Sequence, residues 1–309
     1  MNTIFVMIGI SGSGKSTIAR QFMRSNLVIV SRDNLRNSLF GYTDETIHEY
    51  YTRPDFKACE DKVTKFFNDQ VRYALKNGMD VIADNTHLNA SYINAYKQFS
   101  AEIKLVWCDI DVEVAIDRDH KRTRCVGETV IRKQALQFAK LRNTDIVDQI
   151  DAYNEELKNI YATCKKADYD FDKPSCYVFD IDGTLAHTNG KRSPYDYTKV
   201  SEDDVDLAIA DITWKMTAAK CGIIICSGRD EICREDTESW LRYTAGINFN
   251  GLYMRKTGDN RKDNIIKAEL WREIQEDYNI VGMFDDRNRV VDMARNLGYK
   301  VMQVAEGDF

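Results

Sequence analysis

Gly9 to Ser16 reads GISGSGKS and fits the spacing G-x-x-x-x-G-K-[ST]. Glycines let such a loop fold tightly and aim successive backbone N–H groups at phosphate oxygens. Lys15 supplies a mobile cation for the β- and γ-phosphates of ATP, Ser16 offers a hydroxyl to Mg²⁺, and the following helix begins where anions are favoured. The expected ATP contacts are Gly9, Ser11, Gly12, Ser13, Gly14, Lys15, Ser16 and Thr17. Asp33, in Ser31-Arg32-Asp33-Asn34-Leu35-Arg36, is placed to accept a proton from an attacking hydroxyl, or to cap a helix, or both. Arg36, one helical turn on, is placed for an anionic group of the acceptor. Asp84-Asn85-Thr86-His87 forms a polar cluster that suits acceptor contact and, equally, turn chemistry. Arg118, Lys121, Arg122 and Arg124 form a basic run, the kind of segment that closes as a helical lid and neutralises a moving phosphoryl group. Arg122 and Arg118 are the first choices there.

A second constellation begins at Asp180-Ile181-Asp182-Gly183-Thr184. Two carboxylates one residue apart divide a phosphatase reaction: Asp180 attacks phosphorus, and Asp182 protonates the leaving oxygen and later activates water. Mg²⁺ must offset the repulsion between carboxylate and phosphate. Ser227, Gly228 and Arg229 follow an apolar run and suit phosphoryl oxygens. Lys262 in DNRKD can balance the phosphoaspartate charge. Asp285 or Asp286 can complete a Mg²⁺ shell with Asp180 and Asp182.

The elements that must carry these residues alternate. Short β-rich runs at 3–8, 27–30, 79–83 and 104–108 are separated by amphipathic stretches, one from about Asp55 to Lys76 with Gly78 as its C-cap. A second series, at 176–180, 222–226, 249–254, 279–284 and 299–304, follows Lys173-Pro174. Strand–helix alternation predicts an α/β fold: two domains, each a mostly parallel sheet flanked by helices. In such sheets the C-terminal strand ends converge on the ligand crevice, where both constellations fall. The expected domains are 1–150 and 174–309, with a helical and polar linker at 151–173 ending in ADYDFDKP. Only the 44 residues 183–226 separate Asp182 from Ser227. That is too short for a large cap, so an open site suited to a macromolecular end is expected. Within it, Lys191, Arg192 and Tyr195 read as an exposed turn or as substrate contacts.

The 309 residues fit two domains. The net charge of 43 − 49 = −6 lies wholly in residues 174–309, which hold 18 Lys+Arg against 24 Asp+Glu. That balance does not by itself suggest a nucleic-acid binder, since extended tracking of phosphates needs more positive surface. The eight cysteines form no C-x-x-C pair, which argues against a zinc site or disulfide framework and for reduced, buried thiols in a cytoplasmic protein. No apolar run approaches the roughly 18 residues of a membrane span.

GISGSGKS, SRDNLR, DNTHLN, the basic run, DIDGTL, RSPYD, CSGR, GDNRKD, FDDR and the terminal VAEGDF stand in one order along the chain. DIDGT resembles the first motif of the haloacid dehalogenase (HAD) phosphatases. The whole set resembles the bacteriophage polynucleotide kinase/3′-phosphatases of T-even type. The resemblance implies a P-loop kinase fold followed by a HAD-like Rossmannoid phosphatase fold. It implies transfer of the ATP γ-phosphate to 5′-hydroxyl DNA or RNA ends, and hydrolysis of 3′-phosphate and 2′,3′-cyclic phosphate ends. It assigns Lys15 and Ser16 to phosphate and Mg²⁺, Asp33 to the base, Arg36 to the acceptor phosphate and Arg122 to the lid, with Arg124 and Arg118 as neighbouring registers. Asp84, Asn85 and Thr86 stand where the family reads Ser-Asp-Thr, which leaves Asp84 and Asn85 as alternatives for acceptor contact. It assigns Asp180 as nucleophile and Asp182 as acid–base. Thr184, Ser227, Gly228, Arg229, Arg255, Lys262, Asp286 and Arg287 then match phosphate or metal positions. It further implies self-association, host-cell cytoplasm as the location, and a polynucleotide ligase acting next. Two rivals remain: a metabolite kinase/phosphatase, and a nucleotide-binding repair scaffold without turnover.

Overall fold

β1 (Thr3–Ile8) is apolar on both faces because it runs through the middle of a sheet. The computed structural model describes residues 1–22, 24–193 and 196–307. These divide into two units, residues 1–156 and 157–309.

In the first unit β1 is followed by α1 (Lys15–Gln21), β2 (Leu27–Val30), α2 (Arg32–Phe40), α3 (Ile47–Tyr50), α4 (Phe56–Lys76), β3 (Asp80–Ala83) and α5 (Ala90–Asn94). β4 (Glu102–Trp107), α6 (Val112–His120), α7 (Glu128–Arg142) and the start of α8 (Ile146–Thr163) complete it. The sheet order is β2-β3-β1-β4, all parallel. The loops after β1, β2 and β3 therefore leave from one edge, which brings GISGSGKS, SRDNLR and DNTH together. α4 covers the sheet with Val63, Phe67, Val71 and Ala74, all buried, while its Cys59 packs against Ile47 and Tyr50 of α3. Each large apolar side chain so placed contributes roughly 1.5–3 kcal/mol. Phe66, on the same amphipathic stretch, is 47% exposed. The helix C-cap is Asn77, and Gly78 follows it at φ +73°.

α8 is one continuous helix across the 150/151 boundary expected from sequence. Ile146, Ile150, Tyr153, Leu157 and Ile160 form an unbroken buried stripe at helical spacing. The division between units falls at 156/157, within this helix and upstream of the polar stretch ending in Pro174.

The second unit holds β5 (Ser175–Phe179), a small hairpin of β6 (Ala186–His187) and β7 (Asp204–Val205), α9 (Leu207–Ala218), β8 (Gly222–Asp230) and α10 (Arg234–Ser239). β9 (Gly251–Arg255), α11 (Asp263–Asp277), β10 (Asn279–Arg287), α12 (Asn288–Asn296) and β11 (Val301–Gly307) follow. The order β11-β10-β5-β8-β9 is parallel throughout. β5, β8 and β10 are adjacent, so Asp180, Ser227 and Asp285 reach one crevice. All eight cysteines are free; Cys125 is exposed, Cys221 intermediate and the rest buried. No helix among the described residues is long and apolar enough to cross a membrane.

Candidate active sites

In the first unit, Gly12 and Gly14 take φ of +84° and +86°. Any side chain on Gly12 would also strike the Ala115 carbonyl of α6. Lys15 is enclosed, and its Nζ donates to the carbonyls of Gly9 (2.9 Å) and Ile10 (2.7 Å). Burial lowers its pKa to about 8 against the opposing pull of Asp84. The Ser11 N–H donates to Gln134 of α7 (2.7 Å), which braces the loop. Ser13 Oγ is buried with no hydrogen-bond partner among the described residues. Ser16 and Thr17 are exposed on a cleft of about 1260 Å³ that also takes in Asp33, Arg36, Asp84 and Arg122. An orphaned hydroxyl, a buried ammonium and an exposed Ser16 hydroxyl fit a polyphosphate with its Mg²⁺.

The N-cap of α2 is Ser31; Asp33 lies inside the first turn and is not the cap. Arg36 donates to Asp33 Oδ1 (2.7 Å) and, through Nε and Nη2, to both oxygens of Glu60 (2.8 and 2.9 Å). Glu60 also accepts from Tyr50 (2.7 Å) and Arg32 (2.9 Å). Burial opposes ionisation of Glu60, but the bonds from Arg36, Tyr50 and Arg32 outweigh it and hold the carboxyl at about 2. Glu60 was not singled out from the sequence.

After β3, Asn85 accepts the Arg32 N–H (3.0 Å) and the Thr86 carbonyl accepts the Gly9 N–H (3.1 Å). Both hold neighbouring loops, while Asp84 is the member whose charge acts on Lys15. His87 is buried at φ +47°, between the Met7 carbonyl and the Tyr96 hydroxyl, each 2.7 Å away. Burial lowers its pKa to about 4, so the ring is neutral at pH 7.

The basic run starts on a helix and continues past it: Arg118 lies in the last turn of α6, and Lys121, Arg122 and Arg124 follow its end. α6 ends at His120, and residues 121–127 form an irregular turn to α7. Buried Asp119 roots that turn by accepting the N–H groups of Val126 and Gly127, both at 2.9 Å. Arg118 reaches the Gly12 carbonyl (3.4 Å), and Arg122 is exposed on the cleft, where its charge opposes that of Lys15.

In the second unit the ligand oxygens of Asp180, Asp285 and Asp286 lie within 4.8 Å of one another. Burial raises Asp180 to about 7 and Asp286 to about 6. Asp286 Oδ1 is buried without a partner among the described residues. A crowded carboxylate set with an orphaned oxygen fits a divalent cation. The Asp182 side chain stands outside this set. Arg229 grips it through Nε and Nη2, both at 2.8 Å, and Arg192 adds a bond at 3.1 Å. Burial would raise Asp182, but the two arginines hold it below the usual range.

The lysine beside Asp180 is Lys267, not Lys262. Lys262 is exposed at the N-cap of α11. Lys267, more than a turn further on, is buried with Nζ 2.8 Å from Asp180 Oδ1 and 2.7 Å from Asp285 Oδ2. Arg192 is likewise no exposed turn: its side chain is fully buried, and it grips Asp203 at 2.7 Å through two nitrogens. Asp203 also accepts from Arg229 (2.6 Å), closing a ring of two arginines and two aspartates in which only Asp182 reaches the surface. Lys191 is exposed and pairs with Asp204; Pro194 and Tyr195 lie outside the described residues.

Thr184 Oγ1 and Arg229 Nη1 are buried without partners among the described residues, and Ser227 Oγ accepts from the Arg229 N–H (3.2 Å). These groups fit phosphoryl oxygens. Arg255 instead ties the Gly228 carbonyl to those of Asp259 and Arg261, each at 2.8 Å. Arg287 pairs with Asp263 of α11.

Residues 174–309 match the family described as "Polynucleotide kinase PNKP phosphatase domain", and residues 4–141 match the family described as "AAA domain". The chain is 30% identical over 309 residues to a "Putative bifunctional polynucleotide kinase/RNA ligase" of Autographa californica nuclear polyhedrosis virus. That alignment covers 95% of this chain and 41% of the viral protein, so the chain spans about two fifths of its curated relative. A chain of the "Structure of the Pnkp1/Rnl/Hen1 RNA repair complex" is 32% identical, with 100% of this chain and 97% of that one covered and a TM-score of 0.45. Residues 4–141 thus belong to the AAA-domain family of P-loop proteins and residues 174–309 to the polynucleotide kinase phosphatase family, joined in a single chain.

Proposed function

We propose that this chain heals nucleic-acid ends, phosphorylating 5′-hydroxyl termini from ATP and removing 3′-phosphates, including those of 2′,3′-cyclic ends. The carrying observation is that one chain joins a Lys15 phosphate loop to a phosphatase crevice built on Asp180, Asp182 and Lys267.

In the kinase reaction Asp33 takes the proton of the 5′-hydroxyl as its oxygen attacks the γ-phosphorus, and ADP leaves. Lys15 and Arg122 offset charge on the transferring group, and Arg36 holds the acceptor phosphate. In the phosphatase reaction an Asp180 oxygen attacks the 3′-phosphorus while Asp182 passes to the departing 3′-oxygen the proton that arrives on the phosphate monoanion, since Arg229 and Arg192 keep Asp182 itself ionised before substrate binds. Asp182 then takes a proton from the water that releases phosphate from Asp180. Lys267 balances the Asp180 charge; Thr184, Ser227 and Arg229 hold phosphoryl oxygens. Asp180 and Asp286 would hold Mg²⁺ in the phosphatase and Ser16 in the kinase, where the ion offsets phosphate charge. Asp285 is engaged by Lys267, which favours Asp286 as the direct ligand. The products, 5′-phosphate and 3′-hydroxyl ends, are what a polynucleotide ligase joins, so ligation is the next step.

The test is an oligonucleotide carrying a 5′-hydroxyl and a 3′-phosphate, with labelled ATP and Mg²⁺. Turnover with sugars or nucleosides but not with the oligonucleotide would move the reading to metabolites. Binding without turnover would leave the scaffold.

A further inference from the structure

The turn between α6 and α7 reaches the acceptor wall of the kinase cleft through one side chain. Arg124 Nη2 lies 3.1 Å from Asp33 Oδ1 and 2.9 Å from the Tyr51 hydroxyl. Its neighbours Lys121, Arg122 and Thr123 are exposed, whereas the Arg124 side chain is only 21% exposed. Tyr51 is 46% exposed, and its inner face is held: its ring packs edge-on against Tyr50 at 5.5 Å, and the Arg36 guanidinium lies 5.8 Å from its centre. The root of the turn is fixed as well, by Asp119.

Arg36 and Arg124 converge on the same oxygen of Asp33. The other oxygen, Oδ2, takes no hydrogen bond among the described residues. Asp33 is 53% exposed, and an exposed carboxylate is otherwise free to rotate. Two cations on Oδ1 select one orientation, and Oδ2 is then the oxygen free to receive a proton.

We infer that Arg124 is a positioning residue for phosphoryl transfer, acting through Asp33. It holds Oδ1 so that Oδ2 meets the acceptor hydroxyl, and it fixes the turn that carries Arg122 against the acceptor wall. Tyr51 contributes by anchoring Arg124. This rests on the reading that Asp33 is the kinase base.

The experiment uses the full chain with a 5′-hydroxyl oligonucleotide and Mg·ATP, and compares wild type, Arg124→Ala, Arg124→Lys, Tyr51→Phe and the Ala/Phe double variant. 3′-Phosphatase activity serves as the folding control. Arg124→Ala should lower kcat about 10- to 100-fold, the cost of a misplaced reacting group, with KM for ATP within about twofold. Lysine should restore part of the rate. Tyr51→Phe should cost about threefold alone and nothing further in the double variant, because its effect passes through Arg124. An unchanged kcat for Arg124→Ala, additive losses in the double variant, or loss of phosphatase activity as well would each overturn the inference. A wild-type protein that labels no 5′-hydroxyl end would instead sink the kinase reading itself.

Discussion

The Lys267 ammonium lies 2.8 Å from the carboxylate of Asp180, with both side chains more than nine-tenths buried. Burial alone would discharge Lys267, but Asp180 and Asp285 outweigh it and raise its pKa. A charged lysine is thus built in against Asp180.

Lys267→Ala should abolish 3′-phosphate release, by at least about 100-fold, and should destabilise the second unit by about 3–5 kcal/mol, because two buried carboxylates lose their cation. Lys262→Ala, at an exposed N-cap, should leave both within about twofold and 0.5 kcal/mol. Phosphate release and urea unfolding measure both. Equal effects of the two substitutions would contradict the assignment.

Asp203 touches both arginines that hold Asp182. Asp203→Asn removes its charge but not its shape. Phosphatase kcat should fall about 10-fold as Arg229 and Arg192 lose their shared anchor, while 5′ labelling stays at the wild-type rate. A kcat at the wild-type level would show that Asp182 needs no such support.

Glu60→Gln should raise the acceptor KM severalfold and leave the ATP KM alone, since Arg36 loses its bidentate partner. The variant also carries a pH signature. The folded carboxyl sits at about 2, below its ordinary 4.5, so its stabilisation is fully present above about pH 4.5 and fades as pH falls towards 2. The stability gap between wild type and Glu60→Gln, about 1 kcal/mol for a part-exposed cluster, should shrink across that window. A gap that widens on acidification would contradict the ion-pair account.

Gly183 sits at φ +84°, and any Cβ there would meet the Asp286 carboxylate. Gly183→Ala should therefore weaken metal-dependent phosphatase activity by about 10-fold or more without touching 5′ labelling. A titration of activity against Mg²⁺ should show a higher half-saturating concentration; an unchanged one would detach Gly183 from the metal residues.

The phosphate loop and the paired-aspartate motif were legible in the sequence because their chemistry is local: GISGSGKS and DIDGT each carry their residues within a few positions of a strand end. The strands themselves were legible from apolar runs, with β1 and β2 matching at both ends. The residues that act from a distance were not. Lys267 lies in NIIKAEL, where a lysine among apolar neighbours reads as the polar face of an amphipathic helix. Only the packing of α11 reveals that nearly all of that stretch is buried. Glu60 and Asp203 are single acids among many, and only the fold brings them to Arg36 and Arg229. Arg192 read as part of a surface turn because nothing nearby in sequence suggests a buried counter-charge.

The most direct test of two separate active sites in one chain uses a single oligonucleotide with a 5′-hydroxyl and a 3′-phosphate. It would be incubated with γ-labelled ATP and Mg²⁺, and both ends followed on denaturing gels for wild type, Lys15→Ala and Asp180→Asn. Wild type should gain label at the 5′ end and lose phosphate at the 3′ end. Lys15→Ala should lose only the first activity and Asp180→Asn only the second. Loss of both activities in either folded variant, or no change at either end with wild-type protein that still binds ATP, would contradict the account.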